Sequence, residues 1–75
     1  MLGEELRNAR EGAGMTQEQV AFAAGIDRSY LSQLENNHKS PTVDILFLIC
    51  DAIGTAPSVI LAGVERSRAA RPVGG

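Results

Sequence analysis

A short polar face on one predicted helix carries the side chains of this sequence best suited to bind a partner. Between Asp27 and Glu35, Leu31 and Leu34 recur at helical spacing, which predicts an apolar side that packs inward. The opposite side carries hydrogen-bonding groups: Arg28, Ser29, Ser32 and Gln33. A guanidinium can bond to both acceptors of a guanine, and hydroxyl and amide groups also suit base edges. Such a face is of the kind that contacts base pairs in a major groove, although an ordinary solvated helix face has the same composition.

A second short helix is predicted immediately before this stretch. Thr16 and Gln19 have the spacing of a capping box at a helix N-terminus. Apolar residues then recur at helical spacing: Val20, Ala21 and Ala24. Gly25 suits the positive φ that ends one helix and redirects the chain, and Asp27 suits the N-cap of the next. The sequence therefore predicts helices over 17–24 and 28–35 joined by a tight turn.

These two helices resemble the Cro/repressor-type helix-turn-helix family of bacterial and phage DNA-binding regulators. The matching positions are Thr16-Gln17, Val20-Ala21, Gly25-Ile26, Leu31 and Leu34-Glu35-Asn36. The likeness extends from about Leu2 to Gly63. The run from Asp27 to Ser32, with Phe22 before it, also resembles the controller proteins of restriction-modification systems. The resemblance implies a compact, all-α, five-helix domain of the lambda-repressor type.

The resemblance also implies roles for individual residues. Base contacts are expected from Arg28, Ser29, Ser32 and Gln33. Contacts to the DNA backbone are expected from Gln17, Tyr30, Asn36 and Lys39. Arg10 is expected to form a structural ion pair with Glu35, tying the first helix to the end of the third. Simpler roles stay open: Arg10 as a solvated residue, Gln17 as a local cap, and Tyr30 as part of the scaffold.

The remaining helices are predicted from apolar periodicity and end signals. A first helix over 2–12 has one apolar face, and a fourth, capped by Thr42, runs from Val43 to about Ile53 and ends at Gly54. Its inner stripe is expected to contain Val43, Leu46, Ile49, Cys50 and Ile53. A second apolar stripe, Ile45, Leu48 and Ala52, suggests that this helix is buried on two sides.

The second stripe has two possible partners. Either another copy of the chain covers it, or the fifth helix, which opens with Pro57, folds over it. We expect a homodimer, with an interface formed by Ile45, Leu48, Ala52, Val59 and Ile60. Residues 1–64 are predicted to form the DNA-binding domain, and residues 65–75, rich in arginine and glycine, a flexible C-terminal tail.

Composition limits the function further. The 75 residues carry a formal net charge of −2, which argues against strong DNA binding by a monomer because phosphate neutralisation supplies much of DNA affinity. One cysteine and one histidine leave neither a disulfide nor a zinc site, so no metal or cofactor is expected. The acidic start is unlike a signal peptide and no apolar run could span a bilayer, so a cytoplasmic protein is expected.

The sequence as a whole predicts a transcriptional regulator. It would bind duplex DNA as a homodimer on a near-palindromic operator, through a recognition helix over 28–35. No membrane partner and no small-molecule ligand are expected, and the chain offers no arrangement typical of an enzyme. One alternative is a protein-interaction module with the same fold, which the negative charge, Asp27 and the second apolar stripe support. The other is an antitoxin with the same fold.

Overall fold

Five α-helices joined by short turns make up residues 1–69, the part of the chain that the computed structural model describes. They are α1 (Leu2–Gly12), α2 (Gln17–Ala24), α3 (Arg28–Glu35), α4 (Val43–Ile53) and α5 (Pro57–Ala69). The described residues contain no strand. The predicted all-α, five-helix architecture is confirmed, and α1 to α4 begin and end where the sequence places them.

Side-chain caps and glycines define the ends of α2 and α4. Thr16 and Gln19 form the predicted capping box: the Thr16 hydroxyl accepts from the Gln19 N–H at 3.1 Å, and the Gln19 side chain accepts from the Thr16 N–H at 2.8 Å. Thr42 accepts from Ile45 N–H at the start of α4. Gly25 and Gly54 have φ of 73° and 88°, a left-handed conformation that glycine adopts without strain.

Asp27 differs from its predicted role. It occupies the N-cap position of α3 with an extended backbone, but its carboxylate accepts no hydrogen bond from the first turn of that helix, residues 28–31. The prediction of a side-chain cap is therefore wrong. The carboxylate is exposed, where water can satisfy it, so the N-cap position alone does not force the bond.

All five helices contribute to one apolar core. Its buried members are Leu6, Val20, Ala21, Ala24, Leu31, Leu34, Leu46, Ile49, Cys50 and Ile60. Helix α2 packs mainly against α4, while α1 packs against both α3 and α5. This arrangement holds α3 between α1 and α2 and leaves its polar side at the surface.

The core face of α4 differs from the predicted inner stripe. Leu46, Ile49 and Cys50 are buried, but Val43 is 70% exposed because it is the first residue of the helix, at the edge of the core. Ile45 and Ala52, which we placed in a dimer interface, are half-buried and pack against the core, so only part of each side chain is at the surface.

Helix α5 also departs from two predictions. Ile60, assigned to the dimer interface, is 3% exposed and belongs to the core, so it cannot contact a second copy in this conformation. The helix continues to Ala69, so residues 65–69 are helical and the predicted start of the tail at Glu65 is too early. Glutamate, arginine and alanine are good helix formers, and the next proline is Pro72. Residues 70–75 of the predicted tail lie outside the described residues.

Among residues 1–69, no single helix is both long enough and apolar enough to cross a bilayer. Helices α4 and α5 reach that length and composition only when taken together, and they meet at a bend of 107°.

Gly3 allows α1 to touch the loop that follows α3. Its N–H donates to Asn37 Oδ1 at 2.9 Å, and a Cβ at this position would lie 2.7 Å from the Leu34 carbonyl oxygen and closer still to that of Glu35. Asn37 has φ of 60°, a conformation that asparagine tolerates better than most residues, and its side-chain NH2 donates to Glu4. The start of α1 is therefore fastened to the end of α3.

We expect Gly3→Ala to lower the free energy of unfolding by about 1–3 kcal/mol, because the added methyl group would collide with backbone oxygens that cannot move independently. Urea denaturation measures this change. Gly12→Ala is the matched control in the same helix, since a Cβ at Gly12 would meet no atom of residues 1–69 within 4 Å. That control should be neutral or stabilising by up to about 1 kcal/mol. Equal stability of the two variants would contradict the close approach at Gly3.

Candidate nucleic-acid interface

The polar side of α3 contains all four predicted base-contacting residues. Arg28, Ser29 and Gln33 are exposed and Ser32 is half-buried, whereas Leu31 and Leu34 are buried on the opposite side. Residues 28 and 32, and residues 29 and 33, lie one turn apart and so form neighbouring rows. These four residues form one continuous polar surface, here called the recognition surface, and the core supports it from beneath.

A buried ion pair connects α1 to the last residue of α3. Arg10 Nε lies 2.7 Å from Glu35 Oε2, and a terminal nitrogen of the same guanidinium lies 2.9 Å from Glu35 Oε1. Glu35 is 1% exposed. The other terminal nitrogen of Arg10 donates to the Met15 carbonyl, just before α2. One guanidinium therefore joins α1, the approach to α2 and the end of α3.

The ion pair shifts the pKa of both partners. Burial alone would raise the pKa of the Glu35 carboxyl, but hydrogen bonds from Arg10 and Gln17 and the charges of Arg10 and Arg7 outweigh it, so the pKa lies below its ordinary value. The hydrogen bond to Glu35 raises the pKa of the Arg10 guanidinium. Both groups are therefore charged at neutral pH.

We expect the ion pair to contribute stability that depends on pH. Because the folded-state pKa of Glu35 is lower than its ordinary value of 4.5, the contribution is complete above that value and is lost as pH falls through the folded-state pKa. The measurement is urea unfolding as a function of pH for the native chain and for Arg10→Met/Glu35→Met, which removes the pair without leaving one buried charge unpaired.

The difference in unfolding free energy between the two proteins should shift in favour of the double variant as the solution becomes acidic. A difference that stays constant from neutral to acidic pH would show that Glu35 does not titrate with a depressed pKa.

Gln17 lies between the ion pair and the recognition surface. Its side-chain NH2 donates to Glu35 Oε1 at 3.1 Å, and its Oε1 accepts from a terminal nitrogen of Arg28 at 3.4 Å. Both ends of this amide are therefore bonded within the protein, although the residue was predicted to contact the DNA backbone. Gln17 provides a direct connection between the buried carboxylate and the predicted base reader.

Asn36, which follows the last residue of α3, also has both ends of its side-chain amide bonded within the protein. Its Oδ1 accepts from a terminal nitrogen of Arg7 at 2.7 Å, and its Nδ2 donates to the Ser32 carbonyl at 2.9 Å. Arg7 was not among the residues predicted to contact DNA or to form the ion pair. Its position three residues before Arg10 on an amphipathic helix is a signal that could have identified it, because such residues share a face.

Tyr30 and Lys39, also predicted to contact the DNA backbone, lie beside each other. The Lys39 ammonium is 5.9 Å from the centre of the Tyr30 ring, within the range of a cation–π interaction. The ring packs partly against the core, while the lysine is exposed.

Within residues 1–69 no group of three histidine, cysteine or acidic side chains is placed to hold a metal ion, and no pocket is present.

The helix-turn-helix family matches residues 6–60, more than half of the sequence. The chain belongs to the helix-turn-helix family. It is 36% identical over 73 residues to the transcriptional regulator ClgR of Mycobacterium tuberculosis, an alignment that covers 95% of this chain. The chain spans only 65% of the length of that relative.

Solved structures of two bacterial proteins have the same fold. The clp gene regulator ClgR from C. glutamicum superposes with a TM-score of 0.88 at 31% identity, covering 93% of this chain and 91% of that one. The restriction-modification controller protein C.AhdI from Aeromonas hydrophila has a TM-score of 0.76 at 29% identity, with coverage of 79% and 89%. The predicted family and its likeness to controller proteins are confirmed.

Proposed function

We propose that this chain is a sequence-specific regulator of transcription that binds duplex DNA, with α3 in the major groove. The observation that carries the proposal is the polar outer side of α3, held on a rigid base within a helix-turn-helix fold. The description of its ClgR relative as a transcriptional regulator supports this function. Nothing in these comparisons favours an interaction module or an antitoxin.

The proposed contacts divide into two classes. Arg28, with Ser29, Ser32 and Gln33 beside it, would read base edges. Gln17, Tyr30, Asn36 and Lys39 would contact phosphates around them, together with the N–H groups at the start of α2, where a helix favours anions. Residues 1–64 would form the DNA-binding unit, with residues 65–69 of α5 extending from it.

We expect Arg28→Ala to weaken binding to specific DNA by about 1–3 kcal/mol, because the bidentate contact to a guanine would be lost. The operator is first obtained by selecting duplexes from a random pool with the native chain. Titrations then compare that duplex with a scrambled one at two salt concentrations. Arg66→Ala, which removes the same charge from the exposed end of α5, is the control. Unchanged preference for the selected duplex in Arg28→Ala would exclude Arg28 as a base reader.

We also propose that the chain binds DNA as a homodimer through an apolar surface on α4 and α5, here called the α4–α5 patch. Its members would be the exposed apolar side chains Val43, Phe47, Leu48 and Val59. Phe47 is 51% exposed and Val59 58% exposed, and large apolar groups at the surface of so small a domain favour a protein partner. Of the residues first assigned to the interface, Leu48 and Val59 are exposed members of this patch, and Ile45 and Ala52 are half-buried on the same two-helix unit.

A second copy is the occupant that fits a DNA-binding function best. A two-fold dimer would use the same patch on both chains and would place two α3 helices on successive half-sites about 34 Å apart. The operator would then be nearly palindromic. Doubling the contacts would also offset the weak DNA affinity expected of a monomer with a net charge of −2.

We expect Phe47→Lys to weaken the dimer by at least about 2 kcal/mol, because a charge would be buried where an aromatic anchor had been. Sedimentation equilibrium measures the monomer–dimer constant. Phe22→Lys is the matched control, since Phe22 is 89% exposed on α2, outside the α4–α5 patch. Loss of the dimer in the control alone would place the interface on α2, and a native chain that stays monomeric would rule out the dimer.

A further inference from the structure

The basic side chains of residues 1–64 lie close to α3, although the net charge of the chain is negative. Residues 1–64 contain eight acidic groups and only four basic ones: Arg7, Arg10, Arg28 and Lys39. Each of the four makes a contact at or beside α3, to Glu35, to Gln17 or to the Tyr30 ring. The positive charge of the first 64 residues is therefore gathered around the recognition surface.

Within this cluster, the charge of Arg7 is not needed to neutralise Glu35. Arg10 already pairs with both carboxylate oxygens, at 2.7 and 2.9 Å, whereas Arg7 Nε is 3.6 Å from Glu35 Oε1. Two guanidinium groups and one carboxylate leave a net charge of +1. Arg10 is almost buried, but the Arg7 side chain is 38% exposed, so the surplus charge reaches the surface through Arg7.

The position of the Arg7 guanidinium is set by its bond to Asn36. A terminal nitrogen donates to Asn36 Oδ1 at 2.7 Å, and the Asn36 amide is anchored in turn to the Ser32 carbonyl. A guanidinium has five N–H donors in a planar fork, so this bond and the contact with Glu35 leave donors for a further acceptor. Holding the group in place before binding lowers the entropy lost when it engages a ligand.

We infer that Arg7 binds a DNA phosphate at the edge of the recognition surface, beside the C-terminal end of α3. The ligand class follows from the group: a planar, charged, partly exposed fork matches a phosphate oxyanion. This inference rests on the proposed function and adds to it a phosphate contact from α1, which neither the sequence pattern nor the family resemblance had assigned.

The test is the salt dependence of binding to the selected duplex. The logarithm of the binding constant falls linearly with the logarithm of the salt concentration. Loss of one phosphate contact should reduce the magnitude of this slope by about 0.9 for each subunit bound. Arg7→Ala should show this reduction while preserving the preference for the selected over the scrambled duplex, because phosphate contacts carry no sequence information. Arg7→Lys should retain most of the slope because the charge remains.

Two further variants separate phosphate binding from other roles of Arg7. Arg7→Gln keeps a donor for Asn36 but has no charge, so it should lose as much slope as Arg7→Ala. If Arg7→Gln keeps the native slope, Arg7 acts only by positioning Asn36 and the inference is wrong. Arg66→Ala lowers the net charge equally at an exposed position of α5, outside this group of four basic residues, and should leave the slope unchanged. Thermal melting of each variant confirms that the fold is intact.

The outcomes distinguish this inference from the proposed function. Native binding that is sensitive to Arg28→Ala, with the same slope in Arg7→Ala as in the native chain, would overturn the Arg7 contact alone. A native chain that selects no duplex from the random pool would overturn both.

Discussion

The ion pair between Arg10 and Glu35 is the interaction on which the rest of this structure depends. A carboxylate that is 1% exposed is costly unless its charge and lone pairs are matched, and here a bidentate guanidinium and the Gln17 amide match them. The pair also joins three segments of the chain: α1, the Met15 carbonyl in the turn before α2, and the end of α3. The apolar core brings these helices together, and the ion pair fixes their relative positions.

The same pair organises the polar surface above it. Gln17 connects Glu35 to Arg28, and Arg7 connects the neighbourhood of Glu35 to Asn36. Side chains at both ends of α3 are therefore restrained before any partner arrives, which reduces the ordering required on binding. This arrangement also shows how a chain with a net negative charge can gather positive groups at α3: all four basic side chains of residues 1–64 make contacts there, and the buried Glu35 is neutralised. The exposed Asp27 carboxylate contributes one negative charge at the start of the same helix.

Much of this architecture is predictable from sequence because local chemistry determines it. The capping box at Thr16 and the left-handed glycines at 25 and 54 mark helix ends within a few residues of chain. The errors arise where tertiary packing decides. Val43 and Ile60 have the right polarity for the roles first assigned to them. Val43 nevertheless lies at the exposed start of α4, and Ile60 is buried in the core. The partners of Arg7 lie 28 and 29 residues away in sequence, so its spacing from Arg10 could indicate a shared face but not those partners.

The separation of the outer side of α3 from its buried side has a consequence for how such proteins diverge. Ser29 and Gln33 are exposed, and substitutions at exposed positions usually change stability by less than about 0.5 kcal/mol. A duplicated gene could therefore acquire a new target through changes at these two positions while its fold stays the same. Arg28 is less free to vary, because its guanidinium bonds to Gln17 and through it to the interior. Paralogues should thus change their targets through Ser29 and Gln33 sooner than through Arg28.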